Sequence, residues 1–190
     1  MVKVATICAS NVNRSMEAHH VLAKKGYEVC SFGTNSMVRL PGTSVNSPNV
    51  YAFGTPYREI VKDLESKDSK AYLENGLLQM MQRNAKIKEA PERFQDRAEL
   101  DFDVLITCEE RCFDIVTEEI NNRSSVNDKM VHIVNFEIKD NQEEATVGAR
   151  NILQFVEQIE KLPSDLDGIE QVIEEFSGNG INILHTVAFC

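Results

Sequence analysis

Val2-Lys3-Val4-Ala5-Thr6-Ile7-Cys8-Ala9-Ser10-Asn11-Val12-Asn13-Arg14-Ser15-Met16-Glu17-Ala18-His19-His20 runs from an apolar segment, through polar residues, into a helical pattern. Residues 2–7 are apolar and partly β-branched, which predicts a buried strand. Ser10, Asn11 and Asn13 predict a loop. From Arg14 onward, Met16, His20 and Leu22 or Ala23 fall at helical spacing, and Lys24-Lys25-Gly26 makes a stop. The unit is a strand, a short polar loop and a helix.

The same alternation continues outward. Residues 29–32 predict a second strand, ended by Gly33-Thr34-Asn35. Residues 35–56 hold three of the five prolines and predict a long connection. Residues 57–88 read as helical, with Ile60, Val61 and Leu64 on one face and Leu77, Leu78 and Met81 on another after a break at Asn75-Gly76. Further strands are expected at 102–107, 131–136 and 181–189. Further helices are expected at about 111–120, 143–162 and 166–176. Strands alternating with helices predict an α/β fold: a doubly wound, mostly parallel sheet of about five strands with flanking helices. No linker divides residues 1–190, so one domain is expected, with a helical insertion at about 35–98 after the second strand.

Composition narrows the function. At 190 residues with 42% apolar content, the chain can bury a core without staples. The net charge of −10 argues against binding nucleic acid directly through a broad basic face. No apolar run approaches the roughly 18 residues of a membrane helix, and the start is too short for a signal peptide, so a soluble intracellular protein is expected. Cysteines stand at 8, 30, 108, 112 and 190, with no disulfide-framework spacing. Free thiols in a reducing compartment are expected. Cys108 and Cys112 have no second ligand pair nearby, so neither zinc nor another metal or cofactor is expected.

Doubly wound sheets bind ligands beyond the carboxyl ends of their strands, where the strand order reverses. The loop after the first strand stands there, and it reads Cys-x5-Arg with Ser next. Given five cysteines and nine arginines, chance alone supplies such a pair in about one chain in four. Its placement gives it weight. Backbone amides of residues 9–15 can curl into an anion-binding nest. The following helix adds the positive end of its dipole, and Arg14 offers a planar fork for two phosphate oxygens. Helix N-termini and nearby cations favour a thiolate, so Cys8 is poised for in-line attack on phosphorus. Ser15 is placed to donate to that sulfur. Asn11 and Asn13 suit left-handed backbone and side-chain bracing. The competing reading makes Cys8 a core thiol and Arg14 a surface residue.

A leaving alkoxide or phenoxide also needs a proton. Asp140, just after the fourth strand, is favoured by position. Glu137, Glu143 and Glu144 compete with it, and Asp103 is less suited because it lies within a strand. His19, His20, His132 and His185 look scattered, Cys30 and Cys190 look like packing or terminal residues, and Met80-Met81 looks like core or groove.

Cys8-x-x-Asn11-x-x-Arg14-Ser15 resembles the phosphate loop of the low-molecular-weight protein tyrosine phosphatases. Ser-Asn-Val-Asn-Arg-Ser-Met-Glu-Ala-His (10–19), Arg-Leu-Pro-Gly (39–42), Pro-Asn-Val-Tyr (48–51), Pro-Glu-Arg-Phe-Gln (91–95), Thr-Cys-Glu-Glu-Arg (107–111) and Asp-Asn-Gln-Glu-Glu-Ala-Thr (140–146) resemble one family of that fold more closely. That family comprises the phosphatases of the RNA polymerase II carboxy-terminal domain that act on the fifth serine of the heptad repeat. The resemblance implies Cys8 as nucleophile, Arg14 as phosphate ligand and Asp140 as general acid. It implies a peptide groove at Arg39, Leu40, Pro41, Leu78 and Met81. It implies a phosphoserine preceding a cis proline, action on the seventh serine too, a symplekin-type scaffold as partner, and work in the nucleus on transcription and messenger-RNA 3′-end processing. Ala9 stands where that family usually has serine, and Phe136-Glu137 stands for a more usual Val-Asp. A tyrosine phosphatase would carry an Asp-Pro acid, which this chain lacks. An arsenate reductase would need a cysteine relay, for which Cys108 and Cys112 are the candidates. An idle scaffold-binding paralogue would have no need of Cys8, Arg14, Ser15 and Asp140 together.

Overall fold

The computed structural model describes residues 1–123 and 129–189; Cys190 lies outside them. The first strand, β1 (Val4–Cys8), leads through the loop into α1 (Arg14–Lys24) and then β2 (Val29–Gly33). A long excursion follows, holding β3 (Val38–Leu40), β4 (Asn49–Tyr51), α2 (Tyr57–Glu74) and α3 (Leu77–Ile87). Then come β5 (Val104–Thr107), α4 (Glu110–Asn122), β6 (Met130–Phe136), α5 (Gln142–Ile159), α6 (Ile169–Gly178) and β7 (Ile183–Phe189). The main sheet has five strands in the order β2-β1-β5-β6-β7. The β1–β2, β1–β5 and β5–β6 pairs are parallel, and β7 runs antiparallel to β6. The expected doubly wound, mostly parallel sheet is the one observed. The order reverses between β1 and β5, so the loop after Cys8 lies at the switch point.

Period-two alternation sorts the strand residues onto two faces. Val104 and Ile106 join Val4, Val134 and Phe136 under α1, α5 and α6. Leu105 joins Ala5, Ile7, Val131 and Ile133 under α4. Ile152, Phe155, Val156 and Ile159 of α5 are fully buried. Each stabilises the fold by about 1.5–3 kcal/mol relative to exposure. Phe136 meets Phe155 edge to face at 5.3 Å between centroids, so Phe155→Ala would cost about 3–5 kcal/mol.

The excursion from 34 to 103 differs from expectation in two places. The connection read as a plain loop contains a hairpin, in which β3 and β4 pair antiparallel. Three-residue strands between prolines are too short to show a period. The helical stretch divides between α2 and α3 at Asn75-Gly76 as expected, with Gly76 at φ 80°. In addition α2 is kinked at Asp68, whose φ of −161° and ψ of 80° are not helical. The Asp68 carboxylate accepts from Ala71 N at 3.0 Å and restarts the helix as a cap. This segment has its own core of Val38, Leu40, Tyr57, Ile60, Leu64, Tyr72, Leu77, Leu78 and Met81, which closes onto Val12 and Met16.

On α1 the buried residues are Met16, Ala18, His19 and Leu22 rather than His20 or Ala23. The helix is covered on more than one side, by the sheet, α5 and the excursion, so a single-face period understated its burial. The histidines are not all scattered either. The β6–β7 pairing stacks His132 on His185, with Nδ1 and Nε2 at 3.0 Å. No described helix is long and apolar enough to cross a membrane. Among the described residues, no group of three His, Cys, Asp or Glu side chains gathers as a metal site.

His19 gives the fold a pH dependence. Burial, then Lys88 nearby, lowers its pKa from 6.5 to about 4. Its Nδ1 lies 2.9 Å from Ser31 Oγ. Below pH 6.5 the unfolded chain takes up a proton that the folded chain refuses, so stability is full above that pH and falls as pH drops toward 4. His19→Gln is expected to flatten this acid limb by about 2–3 kcal/mol in urea titrations across pH 4–7. An unchanged limb would assign the pH dependence elsewhere.

Candidate active site

Strand β1 delivers Cys8 to the carboxyl edge of the sheet, and α1 begins at Arg14. The carbonyl oxygens of the loop between them are bound from outside. Cys8 O and Ala9 O accept from Thr34 N at 3.0 and 3.1 Å, and Ala9 O also from Asn35 N at 3.0 Å. Asn11 O accepts from the Tyr57 hydroxyl at 2.5 Å and Val12 O from Asn84 Nδ2 at 2.8 Å. Each peptide is planar and trans, so a carbonyl turned outward turns the next amide the other way. The amides of Ser10, Val12 and Asn13 therefore point back toward the centre of the loop. Gly33 permits the approach of Thr34 and Asn35, since a Cβ there would stand 2.9 Å from Ala9 O.

The loop is locked by Asn11, fully buried with φ 54°. Its side chain donates to Ser15 Oγ at 3.0 Å and accepts from Glu92 N at 3.1 Å. Ser15 Oγ lies 3.0 Å from Cys8 Sγ. With the Asn11 amide filling a lone pair on that oxygen, the hydroxyl hydrogen is free to aim at sulfur. Thr6 Oγ1 donates to Ser15 O at 2.9 Å and fixes the first turn of α1.

Arg14 is 3% exposed and Cys8 2%. The competing reading of Arg14 as a surface residue is thereby overturned: the guanidinium turns inward. Its Nη1 donates to Glu109 Oε2 at 2.7 Å and Ile138 O at 2.9 Å, with Cys108 O at 3.4 Å. Its Nε lies 3.4 Å from Asp140 Oδ1. Burial alone lowers the pKa of Arg14, but Cys8, Asp140 and Glu109 together hold it above the ordinary value. Asp140 also accepts from Asn13 Nδ2 at 2.9 Å. Cysteine, arginine and aspartate thus meet at one loop.

The competing carboxylates go elsewhere. Glu137 accepts from Glu110 N at 2.9 Å and from Asn135 Nδ2 at 3.0 Å, capping α4. Glu143 and Glu144 lie exposed in the first turn of α5. Asp103 accepts from Lys3 N at 2.8 Å and pairs with Lys129 at the opposite end of the strands. Cys108 is fully buried, and burial pushes its thiol well above the ordinary range. Burial likewise pushes up Cys112 in α4. Neither is a ready thiolate for a redox relay.

Part of the expected groove lies elsewhere too. Arg39 and Pro41 are exposed on the hairpin, and Arg39 N donates to Ser10 Oγ at 3.1 Å. Leu40, Leu78 and Met81 are 3, 2 and 0% exposed and face the core of the excursion. Their helical or strand neighbours carry the surface instead. Met80 lines a cleft of about 360 Å³ with Asn13, Glu17, Gln79, Arg83 and Gln142. Glu109, Tyr57 and Asn84 were not legible as site residues. The position of Glu109 after β5, next to β1 in a parallel sheet, was the available signal.

Residues 2–190 match the model of the Ssu72-like protein family. This chain belongs to that family. It is 46% identical over 191 residues to ssu72 of Schizosaccharomyces pombe, a phosphatase of the RNA polymerase II C-terminal domain, covering 99% of this chain and 96% of that protein. It is 46% identical to the Homo sapiens SSU72 of the same description, covering 99% and 97%. The Drosophila melanogaster serine phosphatase of the RNA polymerase II CTD superposes with TM-score 0.96 at 46% identity over all of both chains. D. melanogaster Ssu72 has been solved with Symplekin and a cis peptidomimetic CTD peptide that carries phosphate on the fifth serine. It superposes at 0.95 with 44% identity, covering 100% of this chain and 98% of that one.

The locked loop predicts a stability effect. Asn11→Ala puts a Cβ without a polar side chain in the left-handed region and leaves Glu92 N unpaired. A loss of about 2–4 kcal/mol in urea titration is expected. Asn11→Gly is expected to lose less, because glycine keeps the backbone free. Equal losses would show that the positive φ carries no cost here.

Proposed function

We propose that this Ssu72-like chain is a cysteine-dependent phosphoserine phosphatase of the RNA polymerase II carboxy-terminal repeats. The observation that carries the reading is the meeting of Cys8 Sγ, the Ser15 hydroxyl, the Arg14 fork and Asp140 around inward-facing amides.

The chemistry follows from the atoms. Residues 9–15 hold the phosphate dianion, and the Nε–Nη2 edge of Arg14 binds two of its oxygens. The Cys8 thiolate attacks phosphorus in line. The S–P bond forms as the P–O bond breaks, and the seryl oxygen takes the proton of the Asp140 carboxyl. Water then attacks the phosphocysteine and gives its proton to Asp140, and the S–P bond breaks. Ser15 donates to the departing thiolate. Side chains of this chain carry each step.

The relatives' substrate supplies the class of peptide: a heptad phosphoserine followed by a cis proline, the fifth position first and the seventh as a further target. Arg39 and Pro41 on the hairpin, with Met80 on the cleft beside Asn13, are proposed to contact it. A symplekin-type scaffold is the proposed partner and the nucleus the proposed place of action. Residues 1–190 are read as one phosphatase domain with its insertion at about 35–98. In flexible peptides only about 10–30% of such bonds are cis, so turnover would follow prolyl isomerisation, tens of seconds when uncatalysed.

Cys8→Ser is expected to abolish hydrolysis of heptad phosphopeptides while leaving the fold and scaffold binding intact; persistent hydrolysis would remove Cys8 as nucleophile. Asp140→Asn is expected to slow phosphoserine turnover by about 10²–10⁴ and an aryl phosphate, with its better leaving group, far less. Equal slowing of both would count against Asp140 as the acid. On peptides phosphorylated at the second, fifth or seventh serine with proline locked cis or trans, the cis fifth-position peptide is expected to turn over fastest.

A further inference from the structure

Arg14 has five N–H hydrogens to place. The two on Nη1 go to Glu109 Oε2, Ile138 O and the more distant Cys108 O. Nε is buried with no hydrogen bond, and among the described residues Nη2 has no acceptor. One edge of the fork is therefore anchored to protein, and the Nε–Nη2 edge is left for a ligand. Of the three anchors only Glu109 carries charge, and its contact is the shortest.

The Glu109 carboxylate is itself held. It belongs to the residue that caps α4, in extended backbone at φ −157° and ψ 150°. Its Oε1 accepts from the Cys112 thiol at 3.4 Å, and Cys112 Sγ lies 3.2 Å from Thr34 Oγ1. Thr34 N in turn binds the phosphate loop at Cys8 O and Ala9 O. The chain of contacts Thr34–Cys112–Glu109–Arg14 starts and ends on the same loop. A flexible arginine would otherwise sample several rotamers, and each would point the fork differently.

We propose that Glu109 is a positioning residue, which fixes the plane of the Arg14 guanidinium so that its Nε–Nη2 edge tracks the equatorial oxygens of the transferring phosphoryl group. This rests on the phosphate reading of the loop and extends it. An arginine freed from Glu109 still holds a dianion in the ground state. It follows the spreading oxygens of the transition state less well, and loss of one aligned donor at such a site lowers turnover by about 10²–10³.

The test compares two inorganic probes on purified Glu109→Ala and Glu109→Gln chains. Vanadate becomes five-coordinate on a thiolate and mimics the transition state; phosphate mimics the ground state. Vanadate binding is expected to weaken by about 10-fold or more in Glu109→Ala and phosphate binding by under about 3-fold, with Glu109→Gln between. With p-nitrophenyl phosphate, the loss is expected mainly in kcat. Parallel weakening of both probes, or none, in folded Glu109→Gln would overturn the inference, and Glu109→Gln supplies the reading if Glu109→Ala fails to fold. Failure of the wild type to hydrolyse heptad peptides would instead overturn the proposed function, while the vanadate comparison would still read the positioning role.

Discussion

A guanidinium buried to 3% exposure at the edge of a parallel sheet is the constraint around which this molecule is arranged. A buried charge is tolerated only when paired and hydrogen-bonded. Arg14 meets that demand with carboxylates from two other loops, Glu109 after β5 and Asp140 after β6, and with backbone carbonyls at Cys108 and Ile138. Parallel strands make this possible, because each delivers its following loop to the same edge. The anion site, its acid and its arginine anchor are consequences of one topology.

The excursion between β2 and β5 is the second support. Tyr57 and Asn84 bind Asn11 O and Val12 O, and Arg83 pairs with Glu17 while reaching Val12 O. The hairpin adds Arg39 N on Ser10. Burial pushes the Tyr57 hydroxyl up in pKa, so it remains a donor at neutral pH. The segment read from sequence as an insertion is thus part of the wall that turns the loop's carbonyls outward.

The parts legible in sequence are those with local signals. The strand–loop–helix at residues 2–25, the order of later elements and the cluster of Cys8, Arg14, Ser15 and Asp140 followed from periodicity, punctuation and the switch-point rule. What escaped depends on contacts distant in sequence. Glu109 and Arg14 are 95 residues apart, and His132 and His185 meet only through β6–β7 pairing. Leu78 and Met81 were placed in a groove because apolar residues on a helix give no sign of which neighbour they face. The departures also have packing reasons. Phe136 joins Phe155 and Phe176 edge to face, and Glu137 caps α4. At Ala9 the loop uses only the backbone oxygen, which Thr34 and Asn35 bind.

The most direct measurement is a rapid-quench reaction with a heptad peptide carrying radiolabelled phosphate, followed by peptide mapping of the acid-trapped enzyme. The account predicts label on the fragment containing Cys8, rising before free phosphate and decaying as phosphate appears. Steady release of phosphate with no label on that fragment at any time would mean that water attacks the substrate directly, and that the sulfur at the base of this loop is not the nucleophile.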